Sequence, residues 1–130
     1  MTATALLVED NALNRLLFAE VLAHEGFDTV VDETGEGAVT LARRHRPAVA
    51  LVDLGLPGRP GLDVVRSLCA LAQDGGLPII AVSAFAREED ERAAYAAGAD
   101  LYLSKPVDLH RLQAALASMT PPDVPRRCVA

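Results

Sequence analysis

The chain has 130 residues, 51% of them hydrophobic and 23% charged, which fits one compact core and excludes a disordered or low-complexity chain. Its 18 Asp+Glu against 12 Lys+Arg give a net charge of -6, which disfavours a broad grip on nucleic acid or an anionic membrane and favours a cation or a basic partner patch. The basic residues divide into eleven Arg and a single Lys, Lys105.

Short apolar runs suited to strands buried on both faces alternate with stretches of helical spacing. Ala5 to Val8 predicts the first strand, ending on Glu9-Asp10. Asp10 and Asn11 can cap a helix whose apolar face is read as Leu13, Leu16, Leu17, Val21 and Leu22, closed by Gly26. A second strand is expected at Thr29 to Val31 and a second helix at Glu36 to Arg46. After Pro47, Ala48 to Val52 predicts a third strand that ends on Asp53. Gly61 to Gln73 resumes helical spacing at Leu62, Val65, Leu68 and Ala72, and Gly75 and Gly76 stop it. Leu77 to Val82 is the fourth strand, ending on Ser83, and the acid-rich Arg87 to Ala97 is a helix ended by Gly98. Leu101 to Leu103 is the fifth strand, followed after Ser104 by Lys105-Pro106. Asp108 opens a last helix with Leu109, Leu112, Leu116 and Met119 on one stripe.

Strands joined by helices require crossover connections, and these are right-handed. The expected fold is therefore α/β: a five-stranded parallel doubly wound flavodoxin-like sheet, (βα)5, spanning residues 1–119, with a short tail at 120–130 and no output domain. The opening MTATALLVED lacks a basic leader, and the longest uncharged run, Gly75 to Ala86, contains Pro78 and is too short for a bilayer. Cys69, in an apolar helical pattern and read as core packing, and Cys128, near the end, form no secreted framework. The expectation is a cytoplasmic protein that engages neither membrane nor nucleic acid directly.

In such sheets functional groups collect at the carboxyl ends of the strands. Here those ends carry Glu9, Asp10, Asp53, Ser83 and Lys105. Three carboxylates held together repel unless a cation neutralises them, and all-oxygen ligation favours a hard divalent ion such as Mg2+. A hydroxyl and an ammonium facing them suit a phosphoryl group, with one carboxylate as nucleophile. His24, His45 and His110 fall on separate helices without metal-site spacing, and the acids Glu88 to Glu91 suit a helix N-terminus without any partner.

From Ala5 to Met119 the sequence resembles the receiver domain of bacterial two-component response regulators. The motifs are Glu9-Asp10, Asp53-Leu54-Gly55-Leu56-Pro57 followed by Gly61, Ser83-Ala84, and Lys105-Pro106. The resemblance implies that Asp53 accepts a phosphoryl group from a phosphohistidine on a sensor histidine kinase or histidine phosphotransferase. It also implies Mg2+ held by Asp10, Asp53 and the Gly55 carbonyl, with Glu9 acting through water. Ser83, Ala84 and Lys105 would bind the phosphoryl oxygens. Ser83, Tyr102 and Pro106 would form the switch, with a cis peptide at Lys105-Pro106. The partner face would comprise Asn14, Arg15, Phe18, Pro106 and Val107, with an exposed Phe18 as its support. Such a protein is no enzyme beyond its own aspartyl phosphorylation and dephosphorylation, and it switches a downstream protein target.

The runs Glu9 to Arg15 and Ser83 to Ala86 look most like stand-alone regulators of cell division and polarity and like receivers of hybrid kinases. Methionine at position one and the short tail favour the stand-alone form; a hybrid-kinase module or a phosphorylation-independent scaffold is the alternative. Two departures stand out: serine at Ser83 in place of the commoner threonine, and Gly55, which leaves no side chain over the site. A haloacid-dehalogenase-type phosphatase needs a second Asp at the position of Gly55. A flavin carrier needs glycines and hydroxyls where Glu9 and Asp10 stand.

Overall fold

A computed structural model describes residues 3–56, 58–71, 76–85 and 87–119. Its elements follow the order β1 (Ala3–Val8), α1 (Ala12–His24), β2 (Phe27–Asp32), α2 (Ala38–His45), β3 (Val49–Asp53), α3 (Gly61–Leu71), β4 (Ile79–Ser83), α4 (Glu88–Ala97), β5 (Leu101–Ser104) and α5 (Leu109–Ser118). The strands form one sheet in the order β2-β1-β3-β4-β5, and every neighbouring pair is parallel. The doubly wound α/β fold expected from the alternating runs is the one observed. The expectations at Pro57, Ala72, Gln73, Gly75, Ala86 and the tail from Thr120, including Cys128, lie outside the described residues.

Side chains alternate across a strand, so each run divides its residues between two layers. Leu6 and Val8 of β1, Ala50 and Val52 of β3, and Ile79 and Ala81 of β4 pack with Ala38, Val64, Val65, Leu68 and Ala94 from α2, α3 and α4. Ala5, Leu7, Val49, Leu51, Ile80 and Val82 face the other way, against Phe18, Leu22, Leu112 and Leu116 from α1 and α5. All residues of β3 and β4 are buried, which is why those runs read as continuously apolar. Cys69 is buried on α3, as expected for core packing.

Two local expectations are corrected. The face of α1 was read as Leu13, Leu16, Leu17, Val21 and Leu22; the residues buried are Phe18, Val21 and Leu22. Leu13, Leu16 and Leu17 are 66%, 68% and 38% exposed. The helix is apolar on both sides, so spacing alone does not say which side meets the sheet. β2 is also longer than expected, because its pairing with β1 runs from Phe27 to Asp32 although Asp28 and Asp32 break its apolar pattern. At the edge of the sheet it is less buried than the central strands, so it tolerates the polar positions.

The caps agree with the sequence. Asn11 accepts a hydrogen bond from the Asn14 N–H at the start of α1, and Asp108 accepts from His110 and Arg111 at the start of α5. Gly98 ends α4 at a φ of 120°, a conformation costly for any residue with a Cβ.

Candidate phosphoryl-acceptor site

The order of the strands reverses beside β1, and the crevice outside their carboxyl ends is where open parallel sheets bind ligands. A cleft of about 410 Å3 opens there, lined among others by Asp10, Asp53, Gly55, Ser83, Ala84 and Lys105. Backbone hydrogen bonds align the strand ends that supply these groups. The Leu54 N–H donates to the Val82 carbonyl at 2.8 Å, and the Lys105 N–H donates to the Ser83 carbonyl at 2.7 Å.

Asp53 is 4% exposed at the end of β3. Its Oδ1 accepts from the Gly55 N–H at 2.9 Å, and its Oδ2 accepts from Lys105 Nζ at 3.0 Å. Gly61 keeps the following turn tight: a Cβ there would lie 2.3 Å from Leu54 Cα and 2.8 Å from the Asp53 carbonyl oxygen. The glycine that follows Asp53 at a distance in sequence is therefore required by close backbone approach.

Glu9 is 1% exposed at the end of β1. Its Oε2 accepts from the Asn11 N–H at 3.1 Å; its Oε1 is buried without a hydrogen bond, with Lys105 Nζ 3.5 Å away. Burial, and then the adjacent Asp53 carboxyl, push the Glu9 carboxyl up to about 7, against the Asn11 N–H and the Lys105 charge. Burial alone would raise Asp53 too, but the adjacent Glu9 carboxyl and hydrogen bonds from the Gly55 N–H and Lys105 outweigh it and hold Asp53 below the ordinary carboxylate range. Burial works to lower Lys105, yet Asp53 and Glu9 hold the ammonium above its usual value. The two carboxyls are thus pushed in opposite directions, Glu9 up and Asp53 down.

Carboxylate oxygens of Glu9, Asp10 and Asp53 all lie within 4.8 Å of one another. Asp10 is exposed, so the cluster opens to solvent on one side. The donors are all hard oxygens and one buried oxygen lacks a hydrogen bond, so the residues present suit a divalent cation. The structure thus brings Asp10, Asp53, Gly55, Ser83, Ala84 and Lys105 to one cleft, with the buried Glu9 carboxylate gathered beside Asp10 and Asp53.

Ser83 is buried at the end of β4, and its Oγ accepts from the Phe85 N–H at 3.1 Å. Tyr102 is turned inward at 5% exposure, and its hydroxyl donates to the Phe85 carbonyl. Phe85 itself is 59% exposed at the mouth of the cleft, with the Arg87 guanidinium 5.1 Å above its ring. The Lys105–Pro106 peptide is cis.

On the partner face Pro106 is exposed and Asn14, Arg15 and Val107 are half-buried. Phe18 is a correction: at 3% exposure it packs under the helix and offers nothing to a partner, because the helix turns its Phe18–Val21–Leu22 side to the sheet. The exposed apolar residues of α1 are instead Leu13, Leu16 and Leu17, and Leu17 shares a small surface cavity with Leu109 of α5. Sequence reasoning also gave no site role to Asn11, Leu62, Asp90 and Ala93, which line the cleft. No spacing rule marks Leu62, Asp90 and Ala93, since they reach the cleft only through the packing of α3 and α4; Asn11 reaches it as the cap of α1, directly after Asp10.

Five parallel strands covered on both faces, with an acidic cluster set against a lysine at the carboxyl edge, are the arrangement of a two-component signalling receiver. The chain belongs to that family: the response regulator receiver domain model matches residues 5–117. The polar-differentiation response regulator DivK of Brucella ovis is 38% identical over 111 residues, covering 85% of this chain and 90% of the relative. The receiver domain of the sensor histidine kinase PA1611 from Pseudomonas aeruginosa PAO1, solved with a magnesium ion in its active-site cleft, is similar at 31% identity. It has a TM-score of 0.79 and covers 92% of this chain and 98% of its own. The BeF3-activated N-terminal receiver domain of Klebsiella pneumoniae RstA is 27% identical with a TM-score of 0.80, covering 89% of this chain and 97% of its own. Among the described residues no helix is long and apolar enough to cross a membrane.

Proposed function

We propose that this receiver takes a phosphoryl group from a phosphohistidine onto Asp53 in a Mg2+-dependent reaction and so switches its affinity for a protein target. The observation that carries the reading is the Asp53 carboxylate: nearly buried, bonded to Lys105 at 3.0 Å, yet open to the cleft. In the transfer the phosphorus–nitrogen bond to the partner imidazole breaks as a phosphorus–oxygen bond to Asp53 forms. Asp10, Asp53 and the Gly55 carbonyl would hold the cation, with Glu9 behind them. The cation supplies positive charge against the phosphoryl oxygens. Lys105 exchanges its bond to Asp53 for one to a phosphoryl oxygen, and the Ser83 hydroxyl and Ala84 N–H donate to the others.

That exchange links the site to the surface. When Ser83 turns toward the phosphoryl group it gives up the Phe85 N–H, and the Tyr102 hydroxyl that holds the Phe85 carbonyl moves with the loop. The histidine-bearing partner, a sensor kinase or a phosphotransferase, docks beside the cleft on Leu13, Asn14, Leu17, Pro106 and Val107. No second substrate turns over, because the carboxylate that reacts belongs to the chain itself.

Incubation with a small phosphodonor and Mg2+ should add one phosphoryl group by intact mass, stable in acid and labile in base. Chelation of Mg2+ or Asp53→Ala should abolish it. A label that survives Asp53→Ala overturns the assignment.

A further inference from the structure

Arg15 lies in the second turn of α1, but its side chain folds back toward the strand end. Its Nη1 donates to the Asp10 carbonyl at 2.7 Å and approaches the Glu9 carbonyl at 3.4 Å. Its Nη2 pairs with Glu33 Oε1 at 3.0 Å. The Arg15 side chain is 23% exposed, against 64% for Glu33. Glu33 follows directly on β2, whose last residue, Asp32, receives the Glu9 N–H through its carbonyl at 3.1 Å. The guanidinium therefore bridges the segment that carries two of the three clustered acids to the neighbouring strand end.

We infer that Arg15 is a positioning residue for the divalent cation: it fixes the Glu9–Asp10 backbone so that the acids stay gathered against their mutual repulsion. This rests on the Mg2+ reading above. Carboxylates within 4.8 Å of one another drive their chain segments apart when no cation is bound. Among the described residues the Glu9 side chain accepts one hydrogen bond, from the Asn11 N–H at 3.1 Å, and its other oxygen has only the Lys105 ammonium, 3.5 Å away. Lys105 holds Glu9 and Asp53 from the side-chain end, and the Glu9–Asp10 segment itself is held through its backbone. A planar guanidinium suits the task, since its fixed fork reaches a carbonyl and a carboxylate at once, which a lysine ammonium does not do in the same geometry. Because Arg15 bonds to carbonyl oxygens and not to the carboxylates, it gathers the ligands without competing for them.

The test is a calorimetric titration of the full chain with Mg2+, paired with a thermal melt in the absence of divalent ions. Arg15→Ala should weaken Mg2+ binding roughly tenfold, the scale of one charge-assisted hydrogen bond, while the melting midpoint moves little. Arg15→Lys should recover part of the loss. Glu33→Ala, a change at an exposed side chain, should weaken binding by about two- to threefold, the scale of an exposed ion pair. Unchanged Mg2+ affinity in Arg15→Ala overturns the inference, as does a loss that only tracks a lowered midpoint. Should Arg15→Ala not fold, wild-type affinity in Glu33→Ala overturns it. Unchanged affinity with slowed transfer from a histidine-bearing partner would make Arg15 a docking residue instead. A wild-type chain that binds no Mg2+ would overturn the cation reading itself.

Discussion

Glu9 is where the site costs the fold most. A carboxyl at 1% exposure whose folded pKa is pushed to about 7 favours its protonated form in the native state and its ionised form in the unfolded one. Between the unfolded value of 4.5 and about 7 the native state therefore binds more protons, and stability falls as pH rises. The lowered Asp53 carboxyl acts in the opposite sense, but only as pH falls through and below its unfolded value. The raised Lys105 gives support that is complete across this window and is lost only as pH rises through its folded value. Glu9 thus governs the window, at up to about 3 kcal/mol. Urea unfolding in chelator should show the protein less stable at pH 7.5 than at pH 5, and Glu9→Gln should flatten the difference. A wild-type chain equally stable at both pH values would contradict the account. The same neighbours explain the chain's one lysine: a compact ammonium meets both Asp53 and Glu9, where a guanidinium would crowd the space the cation needs.

At the scale of elements, the sequence was most legible where one signal had one physical meaning. Asn11 and Asp108 cap α1 and α5 as read, because a short polar side chain before an apolar helix has few other uses. The strands that end on Glu9, Asp53 and Ser83 were read to within a residue or two, since runs buried on both faces tolerate no polar interruption. The α1 face was misread because Leu13, Leu16 and Leu17 match helical spacing as well as Phe18, Val21 and Leu22 do. Only the position of α5 and the sheet decides between them. The inward hold of Arg15 was invisible for a related reason: it depends on how the β1–α1 segment meets β2, a contact between elements distant in sequence. Gly61 shows the opposite case, a motif position whose reason is now plain. Gly61→Ala would force a Cβ into the backbone at Leu54, and backbone cannot step aside as a side chain does. It should cost about 1–3 kcal/mol and slow phosphorylation by displacing Asp53. Unchanged unfolding and labelling rates would contradict that reading.

For the whole molecule, a net charge of -6 first pointed to a cation, and the structure narrows that excess to three acids within 4.8 Å at the edge of one parallel sheet. The fold holds these like charges together at the expense of native stability, so a cation that binds them should be repaid as stability. Mg2+ at a hundred times its dissociation constant should stabilise the protein by about 2.7 kcal/mol, seen as a raised melting midpoint. The gain should be larger at pH 7.5 than at pH 5, because protons compete for the same carboxylates. A midpoint indifferent to Mg2+ would contradict the cation reading. The central claim concerns Asp53, and chemical trapping tests it most directly. Borohydride reduces an aspartyl phosphate to homoserine, so peptide sequencing of the reduced, phosphorylated chain reads out the acceptor. Homoserine at position 53, only when both phosphodonor and Mg2+ were present, is the result expected. Homoserine at another position, or an intact Asp53 in a chain that carries the label, would contradict it.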